Sequence, residues 1–147
     1  MIRAAVLATL LAAAPAAAQQ VRPCDWRASV ENIAEPWQDN TRVFANGAVR
    51  LAVLDTIEPA AGAFWLLILS PPYDTLGGRT CQMVGQAQGA GFAALSLGGM
   101  EAAYDPAMGL ILGFPVRVYD QATAGFYDDW MTVIVNQASG RVVAGFQ

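Results

Sequence analysis

Past Thr41 the chain is a succession of short apolar runs with a period of two, each cut short by glycine, proline, asparagine or aspartate. Few folds accommodate such a pattern. Residues alternating in character place every second side chain on one face of a strand, and the breakers leave no helix long enough for a parallel crossover. RVFANGAVRLAVLDT carries Asn46-Gly47 between two such runs, a strong hairpin signal. Further runs are Phe64–Ser70, Cys81–Ala87, Phe92–Leu97, Met100–Asp105, Gly109–Asp120, Trp130–Asn136 and Arg141–Phe146. Gly113 and Pro115 mark a bulge or an edge in the longest of them, because proline has no N–H to give a ladder. The expected fold is mainly β: an antiparallel meander of eight or nine strands, curled into a barrel or folded as a sandwich.

One segment reads differently. In DWRASVENIAEPW, Trp26, Val30, Ile33 and Trp37 recur at intervals of four, three and four. That stripe predicts one short N-terminal amphipathic helix, with Asp25 or Ser29 as caps and both tryptophans as core anchors. Ahead of it, MIRAAVLATLLAAAPAAA has a positive Arg3, an apolar stretch, Pro15 and small residues at 16–18. This is the pattern of a cleaved signal peptide at 1–18, leaving 19–147 as a single all-β domain. The apolar stretch is shorter than the roughly 20 residues of a spanning helix, and no later run is longer, so no transmembrane segment is expected. Export places the mature chain in the periplasm or outside the cell. In that oxidising setting Cys24 and Cys81, the only two cysteines, are expected to pair. The bond would tie the N-terminal helix to the strand beginning at Cys81, covering one face of the apolar-on-both-sides run FWLLILS.

Absences narrow the chemistry. The chain has no histidine and no lysine. Histidine-assisted serine and cysteine nucleophiles, Schiff-base chemistry, the phosphate-binding loop lysine and imidazole metal ligands are therefore all missing. No metal site and no cofactor are expected. The net charge of −4 becomes −5 once Arg3 is removed, which disfavours a nucleic-acid partner.

All four tyrosines precede an aspartate: Tyr73-Asp74, Tyr104-Asp105, Tyr119-Asp120 and Tyr127-Asp128. Asp105 to Gly109, Asn136 to Gly140 and Asp74 to Gly78 share one offset, that of hairpin loops built on type I turns. Turn chemistry leaves Pro71, Pro72, Tyr73 and Arg79 unexplained, so Pro71 to Arg79 stands out as a stiff contact loop. A second candidate contact is Tyr127, Asp128 and Trp130. Asp128, Asp129 and Glu101 are the only carboxylates that suggest a carbohydrate-acting acid/base pair, which would need about 5 to 9.5 Å between them. The expected function is an exported, non-catalytic binding or accessory module of the cell envelope, contacting a protein or a saccharide. A carbohydrate-acting hydrolase and a structural envelope component are the alternatives.

Overall fold

The computed structural model describes residues 20–87 and 89–147; the expected signal segment at 1–18 lies outside them. The described residues form ten strands: β1 Val21–Pro23, β2 Thr41–Phe44, β3 Val49–Asp55, β4 Phe64–Tyr73, β5 Arg79–Val84, β6 Ala94–Leu95, β7 Glu101–Asp105, β8 Gly109–Asp120, β9 Gly125–Val135 and β10 Val142–Phe146. All their pairings are antiparallel. One five-stranded sheet runs β1-β5-β4-β3-β2; the other runs β10-β9-β8-β6, with β7 also on β8. No helix among the described residues is long and apolar enough to cross a membrane.

The two sheets share one apolar core and are stitched at one corner, where Phe92 exchanges backbone bonds with Phe64 of β4 (3.0 and 2.6 Å) just ahead of β6, so the meander folds as a sandwich. Val49, Leu51 and Val53 of β3 with Leu66 and Ile68 of β4 belong to the same cluster as Leu112 and Phe114 of β8 and Met131 and Val133 of β9. Each is fully or almost fully buried, and each such side chain contributes about 1.5–3 kcal/mol. β8 is not the edge its proline suggested. It lies between β9 on one side and β7 and β6 on the other. β7 pairs with β8 up to Gly113 and β6 begins at Val116, so Pro115 sits where β8 changes partner. A residue without an N–H is tolerated there.

The N-terminal helix does not form. Between Asp25 and Trp37 the only helical element is a single 3₁₀ turn, Val30–Asn32. Non-local bonds take the place of helical ones. Ala34 donates to the Val53 carbonyl (2.9 Å) and Ile33 bridges to Leu54, while locally Asp25 Oδ1 accepts from the Arg27 N–H (3.0 Å) in a turn rather than a helix. Trp26 and Trp37, expected as core anchors, are 68% and 48% exposed. The segment still covers the outer face of the first sheet: Cys24, Ala28 and Ile33 pack on Leu54, Trp65 and Met83. Cys24 is disulfide-bonded to Cys81, with 5.4 Å between their Cα atoms.

The turns follow their side chains. Asp105 Oδ1 accepts from Ala107 (2.8 Å) and Met108 (2.9 Å), and Asn136 Oδ1 from Ala138 (3.1 Å) and Ser139 (3.0 Å), with Gly109 and Gly140 at positive φ. A less comfortable turn follows β3. Ile57 has φ +67° and is 75% exposed. A left-handed conformation costs an L-residue roughly 1–2 kcal/mol and suits a β-branched one least, whereas asparagine tolerates it. Ile57→Asn is therefore expected to stabilise the protein by about 1 kcal/mol, raising the melting temperature by roughly 3 °C in a calorimetric scan.

Candidate functional site

The candidate residues fall into two groups. Pro71 to Arg79 lies at the end of the sandwich where β9 turns into β10. An added Cβ on Gly140, in that turn, would come 2.7 Å from Pro72 Cδ, and the Gln82 amide donates to the Gly140 carbonyl (3.0 Å). Tyr127 and Asp128 lie toward the opposite end of β9. Seven residues separate Asp128 from Val135, about 23 Å of strand at 3.3 Å per residue. The two groups do not form one site.

At the first corner, the register of β4 on β5 shifts between Ser70 and Tyr73, and the last pair is Tyr73 with Arg79. The Arg79 guanidinium stacks on the Tyr73 ring, 5.4 Å from its centroid. It also donates to the carbonyls of Ala48 (3.2 Å) and Gly47 (3.1 Å), in the β2–β3 hairpin loop. Arg79 is thus a strut between two loops rather than an anion receptor. Asp74 Oδ1 accepts from Leu76 (2.8 Å) and Gly78 (2.7 Å). The left-handed residue in this turn is Gly77 rather than Gly78. Pro72, Tyr73, Asp74, Gly78, Arg79 and Thr80 line a hollow of about 280 Å³. Tyr73 is 49% exposed beside it and Leu76, at the loop tip, 94%.

At the second group, alternation along β9 sends Asp128 and Asp129 to opposite faces. Asp128 pairs with Arg117 (3.0 Å) on an exposed face, and Asp129 Oδ1 accepts from the Trp130 N–H (2.7 Å). Trp130 lies across Gly113, where an added Cβ would meet the indole nitrogen at 2.6 Å. Glu101 opposes Gly113 on β8 and Asp128 opposes Arg117, so four residues of β8, about 13 Å, separate their positions. They also stand on strands on either side of β8. That spacing does not match a glycosidase pair. Beyond them, the Thr123 hydroxyl and the Ala122 N–H hold the Asp120 carboxyl below its ordinary pKa in the β8–β9 turn. Among the described residues no three His, Cys, Asp or Glu side chains come together as a metal-holding group.

Sequence reasoning missed two arrangements. Gln86 pairs its side-chain amide with the backbone of Tyr119, accepting from the N–H (3.0 Å) and donating to the carbonyl (3.3 Å). Arg22 and Arg27 place their guanidiniums over the Trp65 ring, 5.8 and 5.2 Å from its centroid. Both join residues far apart in the chain, and no local pattern announces them. Compared with protein-family models, curated proteins and solved structures, the chain matches none of them.

Proposed function

We propose that the protein is an exported, non-catalytic binding module that holds a protein partner against the Pro71–Arg79 corner. The observation that carries this reading is the way the corner is braced. Arg79 backs the Tyr73 ring and is itself fixed to the Gly47 and Ala48 carbonyls, while Tyr73 and Leu76 stay exposed. A contact surface fixed before binding loses little entropy when a partner docks. Export fits the disulfide, since an oxidising compartment preserves it. A saccharide is the weaker choice of partner. The groups that would meet sugar hydroxyls are largely committed within the corner, where Asp74 Oδ1 and the Nε and Nη2 of Arg79 are bonded. The hydrolase alternative has no converging carboxylates to support it.

The test is capture of envelope proteins by immobilised protein, followed by mass spectrometry. The double variant Tyr73→Ser/Leu76→Ser is expected to lose the captured partner by at least tenfold, with a melting temperature within about 2 °C of the parent, because exposed side chains contribute little to stability. The exposed site Met108→Ser serves as a control and is expected to keep the partner. Equal capture by the folded double variant would remove this corner from the reading. Arg79 is unsuited to this test, since its loss would free the two hairpin carbonyls.

A further inference from the structure

The β8–β9 ribbon projects past its neighbours, and its two edges are finished differently. β10 covers β9 only as far as Met131, opposite Phe146, with one further bond from the Gln147 N–H to the Trp130 carbonyl (3.1 Å). That bond sets the phase. In an antiparallel ladder, alternate residues point their backbone groups to opposite sides, so Phe126, Asp128 and Trp130 face away from β8. Pro115 confirms the phase from the other strand. It opposes Trp130 in a pair that needs no N–H, while its carbonyl accepts from Ser96 on the far side (3.4 Å). The Trp130 N–H is taken by Asp129. Among the described residues no strand pairs with β9 from Gly125 to Asp129 other than β8. The N–H and C=O groups of Phe126 and Asp128 therefore form an open edge.

The opposite edge at the same level is closed. Gln86 satisfies both backbone groups of Tyr119 with one amide, as a neighbouring strand would. Unpaired edges invite pairing and are ordinarily covered. Here one edge of a single ribbon is covered by a side chain and the other is not.

We propose that the open β9 edge at Phe126–Asp128 receives an extended, basic peptide segment of a partner protein as an added strand. Main-chain bonds supply the attachment and the flanking side chains select the partner. Asp128 accepts from Arg117 through Oδ1 (3.0 Å) while its side chain stays 76% exposed, and its other oxygen calls for arginine or lysine on the incoming strand; Asp129 lies on the opposite face. Phe126, on the face of Asp128, and Tyr127, on the other face, are 55% and 46% exposed and offer an aromatic surface to the incoming residues on one side of that charge. A second copy of this chain is the wrong occupant. Antiparallel pairing of this edge with itself about Tyr127 would set Asp128 opposite Phe126 of the other copy and bring no cation across the ladder, between two chains of net charge −4. The inference is independent of the Pro71–Arg79 corner.

The probe is a capped synthetic peptide, acetyl-Thr-Arg-Val-Arg-Val-Thr-amide, titrated into isotope-labelled protein. The Phe126 and Asp128 amides are expected to shift and to exchange with solvent at least tenfold more slowly when the peptide is bound. The same peptide with glutamate for arginine is expected to bind at least tenfold more weakly. Asp128→Pro removes the outward N–H without taking a bond from the β8–β9 ladder and is expected to abolish the shifts; Asp128→Asn keeps the N–H and is expected to weaken binding about threefold. Shifts confined to another edge, no response at millimolar peptide, or equal binding by Asp128→Pro would overturn the proposal. Self-association in sedimentation that Asp128→Pro abolishes would overturn it in favour of a second copy. Because the two amides are read in the parent protein, the outcome stands even if the proline variant does not fold.

Discussion

Replacing Cys24 and Cys81 together by alanine is expected to lower stability by about 4 kcal/mol and the melting temperature by roughly 12–20 °C. The bond closes a loop with a sequence separation of 57, and on the chain-entropy model a loop of that length accounts for the energy through the unfolded chain. The native state adds a local consequence. Cys24 sits between β1, which pairs with β5, and the segment packed on Leu54, Trp65 and Met83. Without the bond that segment keeps the bridge from Ile33 to Leu54, the Ala34 N–H to Val53 carbonyl bond (2.9 Å) and the Cys24 N–H to Cys81 carbonyl bond (3.2 Å). The loss should therefore appear as early hydrogen exchange in residues 24–34, ahead of the sandwich core. Urea denaturation in the presence and absence of a reductant checks the magnitude; a difference below about 1 kcal/mol would show that the unfolded chain is already compact.

Trp65→Ala is the second large effect, with an expected loss of about 3–5 kcal/mol. Trp65 is 1% exposed on the outer face of β4, outside the core between the sheets, and its surroundings are shaped to it. An added Cβ on Gly85 would lie 2.6 Å from Cζ3, and one on Gly91 would lie 2.7 Å from Nε1. Neither glycine leaves slack into which the site could collapse. Arg22 and Arg27 would lose the ring face beneath their guanidiniums, although Asp25 would still pair with both, Arg22 at 2.9 Å. The disulfide and Trp65 hold the same segment. Their removal together is therefore expected to cost less than the sum of the two single changes, by about 1 kcal/mol or more. Additive losses in a denaturation cycle would show that the segment is held at independent points.

Strands and turns were legible because their causes are local. Asp105, Asn136 and Asp74 bond their own backbones, and the alternation in LILGFPV shows directly which side chains enter the core. The expected helix failed for the complementary reason. A spacing of four, three and four is a helical stripe only if the stripe is buried, and Trp26 and Val30 are 68% and 63% exposed. Backbone bonds from Val53 and Leu54 of β3 hold Ile33 and Ala34, and the apolar spacing does not encode them. Pro115 was expected to mark a bulge or an edge and marks neither, because whether a missing N–H means an edge or a change of partner depends on where β6 and β7 land. The candidate sites show the same division. Tyr73, Arg79, Tyr127 and Asp128 could be picked out singly, but which end of the sandwich each would reach was a matter of topology. Gln86 had no signal at all, since an amide substituting for a strand looks like any surface glutamine.

The exchange of partners at Pro115 also marks where this scaffold would accept foreign sequence. Between β6 and β7 the chain leaves β8, passes the exposed Gly98 and Gly99, and returns at Glu101. Added residues at Gly98-Gly99 would interrupt no donation from Pro115, which has no N–H, and the buried Leu97 would keep the departing end anchored. A binding loop grafted there would be displayed beside the β8–β9 ribbon while the ladders on both sides of the gap stayed whole.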